Sequence, residues 1–293
     1  MELAQQVPQA GFQSRPEEGV FVLPGGYVDA AGGVHREVEL RPLTGCEEEY
    51  LASLAEETSS GKAITQLLAR CLRRVGGVTA VDASITRGML VGDREYLMVK
   101  LRQMTSGDKM RAILRCPSEA CGKNMEVPLS LAELPVEERP VKAGAFTVEL
   151  SGLGPVEFRL PTGGDQEALA PVADEPGSVG ELLRRCVLRM PDSATLADAG
   201  PLVEERIEQL APRMELEIEA VCPECGNAFS APLDLAGFVL SELMSNLGNL
   251  RREVHFLAWH YHWPEGEILA MTRRKRRQYI ELVEDELERM NPS

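Results

Sequence analysis

Aromatic side chains are scarce in this chain: 5% of its 293 residues are Phe, Trp or Tyr, and tryptophan occurs twice. Any core is therefore expected to be mostly aliphatic. No apolar run is long enough to cross a bilayer. The opening stretch, MELAQQVPQAGFQSRPEEG, has neither the basic n-region nor the apolar h-region of a secretory signal. A cytoplasmic chain is expected, in a reducing compartment where paired cysteines bind metal more often than they form disulfides. Histidines number four, three of them within HFLAWHYHW, and no HExxH occurs. His255 and His260 stand five apart, which keeps them off one helix face. SSGKAIT (59–65) falls short of a phosphate-binding loop, because Glu56 and Ala63 stand where that motif needs Gly and Ser or Thr. No nucleophile–base constellation stands out, so neither an enzyme nor a small-molecule substrate is expected. Lysine and arginine, 31 together, are outnumbered by 46 carboxylates, for a net charge of −15. That balance argues against a general binder of nucleic acid or anionic membrane, since both would repel the surface.

What is present is a repeat. VELRPLTGCEEEYLA (38–52) aligns with VEFRLPTGGDQEALA (156–170), and ITQLLARCLRRV (64–75) with VGELLRRCVLRM (179–190). LVGDREYLMVKL (90–101) then meets LVEERIEQLAPR (202–213). Finally AILRCPSEACGKNMEVPLSLAEL (112–134) meets EAVCPECGNAFSAPLDLAGF (219–238). Four matches in the same order predict a duplicated module. In each copy an alternating strand (Val38, Leu40; Val156, Phe158, Leu160) leads to a short acidic helix capped by Thr44 or Thr162. Ile64, Leu67, Leu68, Cys71, Leu72 and Val75 fall at helical spacing. A third helix is expected near 92–104 and 201–212, followed by a hairpin with a cysteine pair at its tip, shaped by Pro117 and Gly122 or by Pro223 and Gly226.

The fold class predicted is α+β: a duplicated small helix-plus-β-hairpin module with zinc-ribbon-like hairpins, then a C-terminal helical hairpin. Expected boundaries are 1–36 for an extended or disordered arm, 37–146 and 147–236 for the two modules, and 237–293 for the helices. Cys222 and Cys225 have the spacing of a zinc knuckle, and a structural zinc needs four ligands. The repeat places Cys116 and Cys121, in a looser C-x4-C, at the equivalent point of the first copy, so the four together are the candidate zinc site. Such a closed site would stabilise the fold rather than do chemistry. Cys46, Cys71 and Cys186 are expected as small buried hydrophobes.

Leu240, Leu243, Leu247, Leu250, Val254, Leu257 and Tyr261 are spaced alternately by three and four, a heptad seam ending near Trp263-Pro264. A short helical turn at PEGEILAM and a last helix capped by Thr272 follow, the latter with Tyr279, Ile280, Val283, Leu287 and Met290 as its apolar stripe. The seam either folds on itself or takes a partner helix; Leu243, Leu247, Leu250, Val254, Leu257, Trp259, Tyr261 and Trp263 are the candidate partner-binding residues. RRKRR (273–277) reads as a solvated face or a site for an acidic partner, because ELVEDELER follows at once. A zinc-ribbon nucleic-acid regulator and a three-ligand metalloenzyme are the rival readings.

LRPLTGCEEE, the LLARCL helix, VGDREYLMVKLRQMTSGD and the strand ending in CP…C resemble the baseplate hub and tail-assembly proteins of contractile-tailed phages. The same family occurs in phage-derived contractile injection systems, and FLAWHYHWPEGEILAMTRRKRRQYIELV is similar to short proteins encoded in those clusters. The tandem copy and the fused tail depart from the simplest pattern of that family. The resemblance implies a non-enzymatic component or assembly chaperone beside hub, spike and tape-measure proteins, incorporated into a phage-tail-like particle. It also implies that Gly92, Asp93 and Arg94, with Cys116 and Pro117, maintain the fold.

Overall fold

Val38 and Leu40 alternate with Glu37 and Glu39, and this two-residue period builds the first sheet, with the valine and leucine fully buried. The computed structural model describes residues 19–54, 58–172, 177–214, 216–245 and 247–290. The first copy runs β1 (Gly19–Val28), β2 (Val34–Leu40), α1 (Gly45–Leu54), α2 (Ser60–Cys71), β3 (Leu72–Val75), α3 (Ala83–Gly88), α4 (Val91–Ser106), β4 (Lys109–Arg115) and β5 (Asn124–Ser130). The second repeats that order without a counterpart of α3: β6 (Phe146–Leu150), β7 (Gly154–Phe158), α5 (Gly163–Leu169), α6 (Ser178–Cys186), β8 (Val187–Arg189), α7 (Leu196–Leu210), β9 (Leu216–Val221) and β10 (Ala228–Leu233). Four helices close the chain: α8 (Leu235–Ser245), α9 (Leu247–Tyr261), α10 (Glu265–Leu269) and α11 (Arg273–Met290).

Each copy holds a three-stranded antiparallel sheet, β1-β2-β3 or β6-β7-β8, and a two-stranded hairpin, β4-β5 or β9-β10. The correspondence extends to single bonds. The amide of Arg41 donates to Cys71 O and that of Arg159 to Cys186 O, at 3.0 and 2.9 Å. Arg41 forks onto Glu47 at 2.9 and 2.8 Å, and Arg159 onto Asp165 at 2.6 and 2.9 Å. The same carboxylates accept from the Thr44 and Thr162 amides, closing the first turn of α1 and α5. Such a bidentate, capped and buried pair fixes where strand passes into helix. Cys71 and Cys186 lie beneath it, fully buried. Burial pushes their thiols up to about 12 and about 11, so both act as packing groups.

Two expectations are corrected here. Residues 19–36, read as part of an extended or disordered arm, supply β1 and the start of β2, with Phe21 packed on the core and Leu23 inside it. Residues 1–18 of that arm lie outside the described residues. A break in pairing register between Val22 and Tyr27, around Gly25 and Gly26, hid this hairpin, because it interrupts the alternation inside β1; the two glycine amides are held by Asp93 at 2.7 and 2.8 Å. Cys46, expected to be buried, is exposed, because it follows the α1 cap on the outward side.

The C-terminal helices do not stand apart from the body. Ala236, Val239, Leu240 and Leu243 of α8 join one core cluster with Leu67, Leu68, Leu97 and Leu101. Leu257 of α9, Ile268 of α10 and Ile280 of α11 form a further cluster. The helical pieces are tied to α1 as well: Gly45 N donates to Met271 O, and Arg276 is fully buried between Glu48 of α1, at 2.8 Å, and Glu253 of α9, at 2.9 Å. RRKRR is thus partly internal, a correction to its reading as a solvated or partner-binding face. The heptad pattern could not show this, since the acids that pair with Arg276 lie 23 and 228 residues away.

Candidate metal centre

Each cysteine pair sits where a hairpin turns. Cys116 N donates to Lys123 O and Cys222 N to Asn227 O, both at 2.9 Å, so the two tips close with the same bond. Gly122 and Gly226 follow the second cysteine with φ of 56 and 72°, a left-handed turn that a side chain would strain. The extra two residues of the first tip are taken up in a turn, Cys121 N and Gly122 N both donating to Ser118 O. Below the tips, Ala112 and Leu114 of β4 share a buried cluster with Ile218 of β9, which brings the two hairpins face to face.

That packing places the four sulfurs of Cys116, Cys121, Cys222 and Cys225 within 4.8 Å of one another. Cys116 Sγ lies 3.7 Å from Cys225 Sγ and Cys121 Sγ 3.8 Å from Cys222 Sγ, each pair crossing between copies. A tetrahedron of sulfurs about 2.3 Å from a central zinc has edges of about 3.8 Å. The donor set and its spacing therefore fit a four-coordinate thiophilic cation. The electrostatics agree. Backbone amides of Cys225 and then Glu224 lower the Cys222 thiol to about 7. The amides of Ser118, Lys123 and Asn227 pull the same way on Cys116, Cys121 and Cys225, but burial and the crowding of neighbouring sulfurs hold those three above the ordinary thiol value. Four sulfurs this close can all ionise only beside a compensating positive charge, which a divalent cation would supply. Lys123 and Glu224 pair across the tips at 2.7 Å, an exposed contact that water screens heavily.

The other sites expected from sequence are distributed differently. Leu243, Leu250 and Leu257 are buried in the chain's own core, Val254 is half-buried, and Tyr261 and Trp263 stack on each other and meet Tyr279 edge to face. These positions have little surface left to offer, so the seam is a self-packed one. The Leu247 side chain lies outside the described residues. Among the described members of the set, Trp259 alone is prominently exposed, at 71%.

Sequence reasoning left the role of Asp93 and Arg94 to resemblance, and the structure shows what they hold. Arg94 is buried, donating to Gly61 O, Thr65 Oγ1 and Thr86 O, and burial pushes it down to about 10. Burial likewise raises Asp93 to about 6 against the pull of its two glycine amides. Gly92 lets α4 approach the Pro212 carbonyl, where a Cβ would come within 2.1 Å. A cleft of about 360 Å³ opens beside this contact, between Leu90, Gly92, Leu160 and Pro161. Asp165 on its wall is already saturated by Arg159, Arg185 and Thr162. Among the described residues no helix is long and apolar enough to cross a membrane.

A family model described as T4 bacteriophage base plate protein matches residues 31–239. The match runs through both copies, so the tandem repeat lies within the family pattern rather than departing from it, a correction to the expectation from sequence. No curated protein and no solved structure matches the chain.

Proposed function

The chain belongs to the T4 bacteriophage base plate protein family, and from that premise we propose that it is a non-enzymatic structural component or assembly chaperone of a contractile injection system baseplate. Its partners in this reading are the hub, spike and tape-measure proteins, and as a structural component its destination is the assembled particle. The observation that carries the reading is the family match over residues 31–239. The distribution of perturbed groups supports it: Asp93, Arg94, Cys71 and Cys186 are shifted by burial inside the scaffold, and each serves packing or backbone anchoring. Catalytic sites instead gather such groups around a cleft.

The reading includes a structural zinc on Cys116, Cys121, Cys222 and Cys225. Support comes from the cross-copy sulfur separations of 3.7 and 3.8 Å and from a purely thiolate donor set. One ion would join the hairpins of both copies into one rigid end. Native mass spectrometry of the purified chain should show one zinc per chain, released by acid. An apo mass under non-denaturing conditions, in protein purified with zinc present, would remove the metal from the proposal.

Quantitative mass spectrometry of assembled particles tests the role itself. A fixed copy number identifies a structural component, and presence in cell extract with absence from mature particles identifies a chaperone. Chain found free, with no baseplate proteins co-purifying before or after assembly, would overturn both.

A further inference from the structure

α9 carries a surface unlike the rest of this acidic molecule. Arg251, His255 and Trp259 follow one another at i, i+4, with Arg252 and His260 beside them, and all five are exposed. The ring of His255 lies 6.4 Å from that of Trp259, and Phe256 lies 4.5 Å from His260, so the face is a shallow aromatic shelf edged by cations. The single carboxylate of α9, Glu253, is turned inward and spent on Arg276 and Arg277. Arg251 and Arg252 form no ion pair among the described residues. A cationic shelf with a tryptophan 71% exposed, on a chain of net charge −15, has the make-up of a binding hot spot.

The complementary surface lies on the same chain. Along α11, Glu281, Glu284, Asp285 and Glu288 share the outward side with Leu282, which is 54% exposed. These four carboxylates form no ion pair among the described residues either. The two faces cannot meet within one molecule, because α9 and α11 already pack through their opposite sides, Leu257 against Ile280 and Tyr261 against Tyr279. At about 1.5 Å per residue the helices run about 22 and about 27 Å, so one can lie along the other.

We infer that the Arg251–His255–Trp259 face of α9 docks on the Glu281–Leu282–Asp285 face of α11 from a second copy of this chain. Trp259 and Leu282 are the apolar anchors, and the ion pairs fix register. Because the two surfaces differ, the contact is head to tail, which closes a ring or runs on as a chain. The inference rests on these two faces and not on the metal centre or the family assignment.

Sedimentation velocity on the full chain tests it. The expected result is a mass that rises with concentration above the 32.1 kDa monomer and falls back as salt is raised, since exposed charges are screened. Trp259→Ala alone should weaken association about 30-fold, the effect of a hot spot worth about 2 kcal/mol. A chain with Arg251→Ala, Arg252→Ala and Trp259→Ala, and another with Glu281→Ala, Leu282→Ala and Asp285→Ala, should each stay monomeric. Mixed together they should form a dimer and nothing larger, because each keeps one intact face. Rescue by mixing also shows that both variants are folded. A wild-type chain that stays monomeric at its highest soluble concentration, or association that survives either triple change, or variants that fail to pair on mixing, would each overturn the inference.

Discussion

Single residues decide how tightly the two copies can approach. A Cβ on Gly163 would sit 1.9 Å from Nη1 of Arg94, the guanidinium that holds α2 and α3 together. Gly163→Ala must push that buried cation off its acceptors, and we expect a loss of about 1–3 kcal/mol in urea unfolding. Asp165 behaves as an electrostatic rivet. Burial alone would raise its carboxyl, but the hydrogen bonds and charges of Arg159, the Thr162 amide and Arg185 outweigh it and hold the group at about 2. A depressed folded-state value gives stability that is full above the unfolded value of about 3.9 and fades as pH falls toward 2. The wild type should therefore exceed Asp165→Asn by about 2 kcal/mol near pH 6, and the gap should narrow below pH 4 in calorimetric scans; a gap independent of pH would show a purely steric role. Cys116→Ser or Cys222→Ser should abolish metal retention, read directly by native mass spectrometry.

Between elements, the decisive contact is the buried Glu48–Arg276–Glu253 triad joining α1, α11 and α9. Removing one acid leaves a buried cation half-compensated, so Glu48→Ala should cost about 3–5 kcal/mol. Replacing the triad together, with Glu48→Leu, Arg276→Met and Glu253→Leu, should cost much less, because no buried charge is left unpaired; Arg277, which also meets Glu253, is half exposed and stays solvated. Hydrogen exchange is the sensitive readout: Glu48→Ala should raise exchange in α10 and α11 first. Unchanged protection there would show that apolar packing of Leu257, Ile268 and Ile280 carries the docking alone.

On the scale of the whole molecule, the four-cysteine cluster is one of the places where two copies of a small module meet, and a metal held there would join them. The hairpins beneath it bury few side chains, so we expect metal removal to loosen β4–β5 and β9–β10 while the three-stranded sheets persist. With free zinc a thousandfold above its dissociation constant, chelation would remove about 4 kcal/mol of apparent stability. Limited proteolysis should then cut at the tips, near Pro117 and Pro223, before elsewhere. Cleavage that begins in the sheets would place the weak point in the body.

Local pattern determined much of this protein. The strand alternation of Val38 and Leu40, the helical spacing from Ile64 to Cys71 and the knuckle spacing of Cys222 and Cys225 are all short-range signals. Because the chain states them twice, the pairing of four cysteines followed from alignment alone. What tertiary structure decided is every contact between residues distant in sequence. Val20 and Val22 looked like part of a loose arm until the sheet gave their strand a partner. The heptad seam left self-packing and a partner helix equally open; the core of the first copy takes Leu240 and Leu243, and the last two helices take Leu257. RRKRR promised a surface, yet Arg276 lies at 0% exposure between two acids. Periodicity says which face of a helix is apolar or charged. It does not say what will cover that face, because burial is a property of what folds against it.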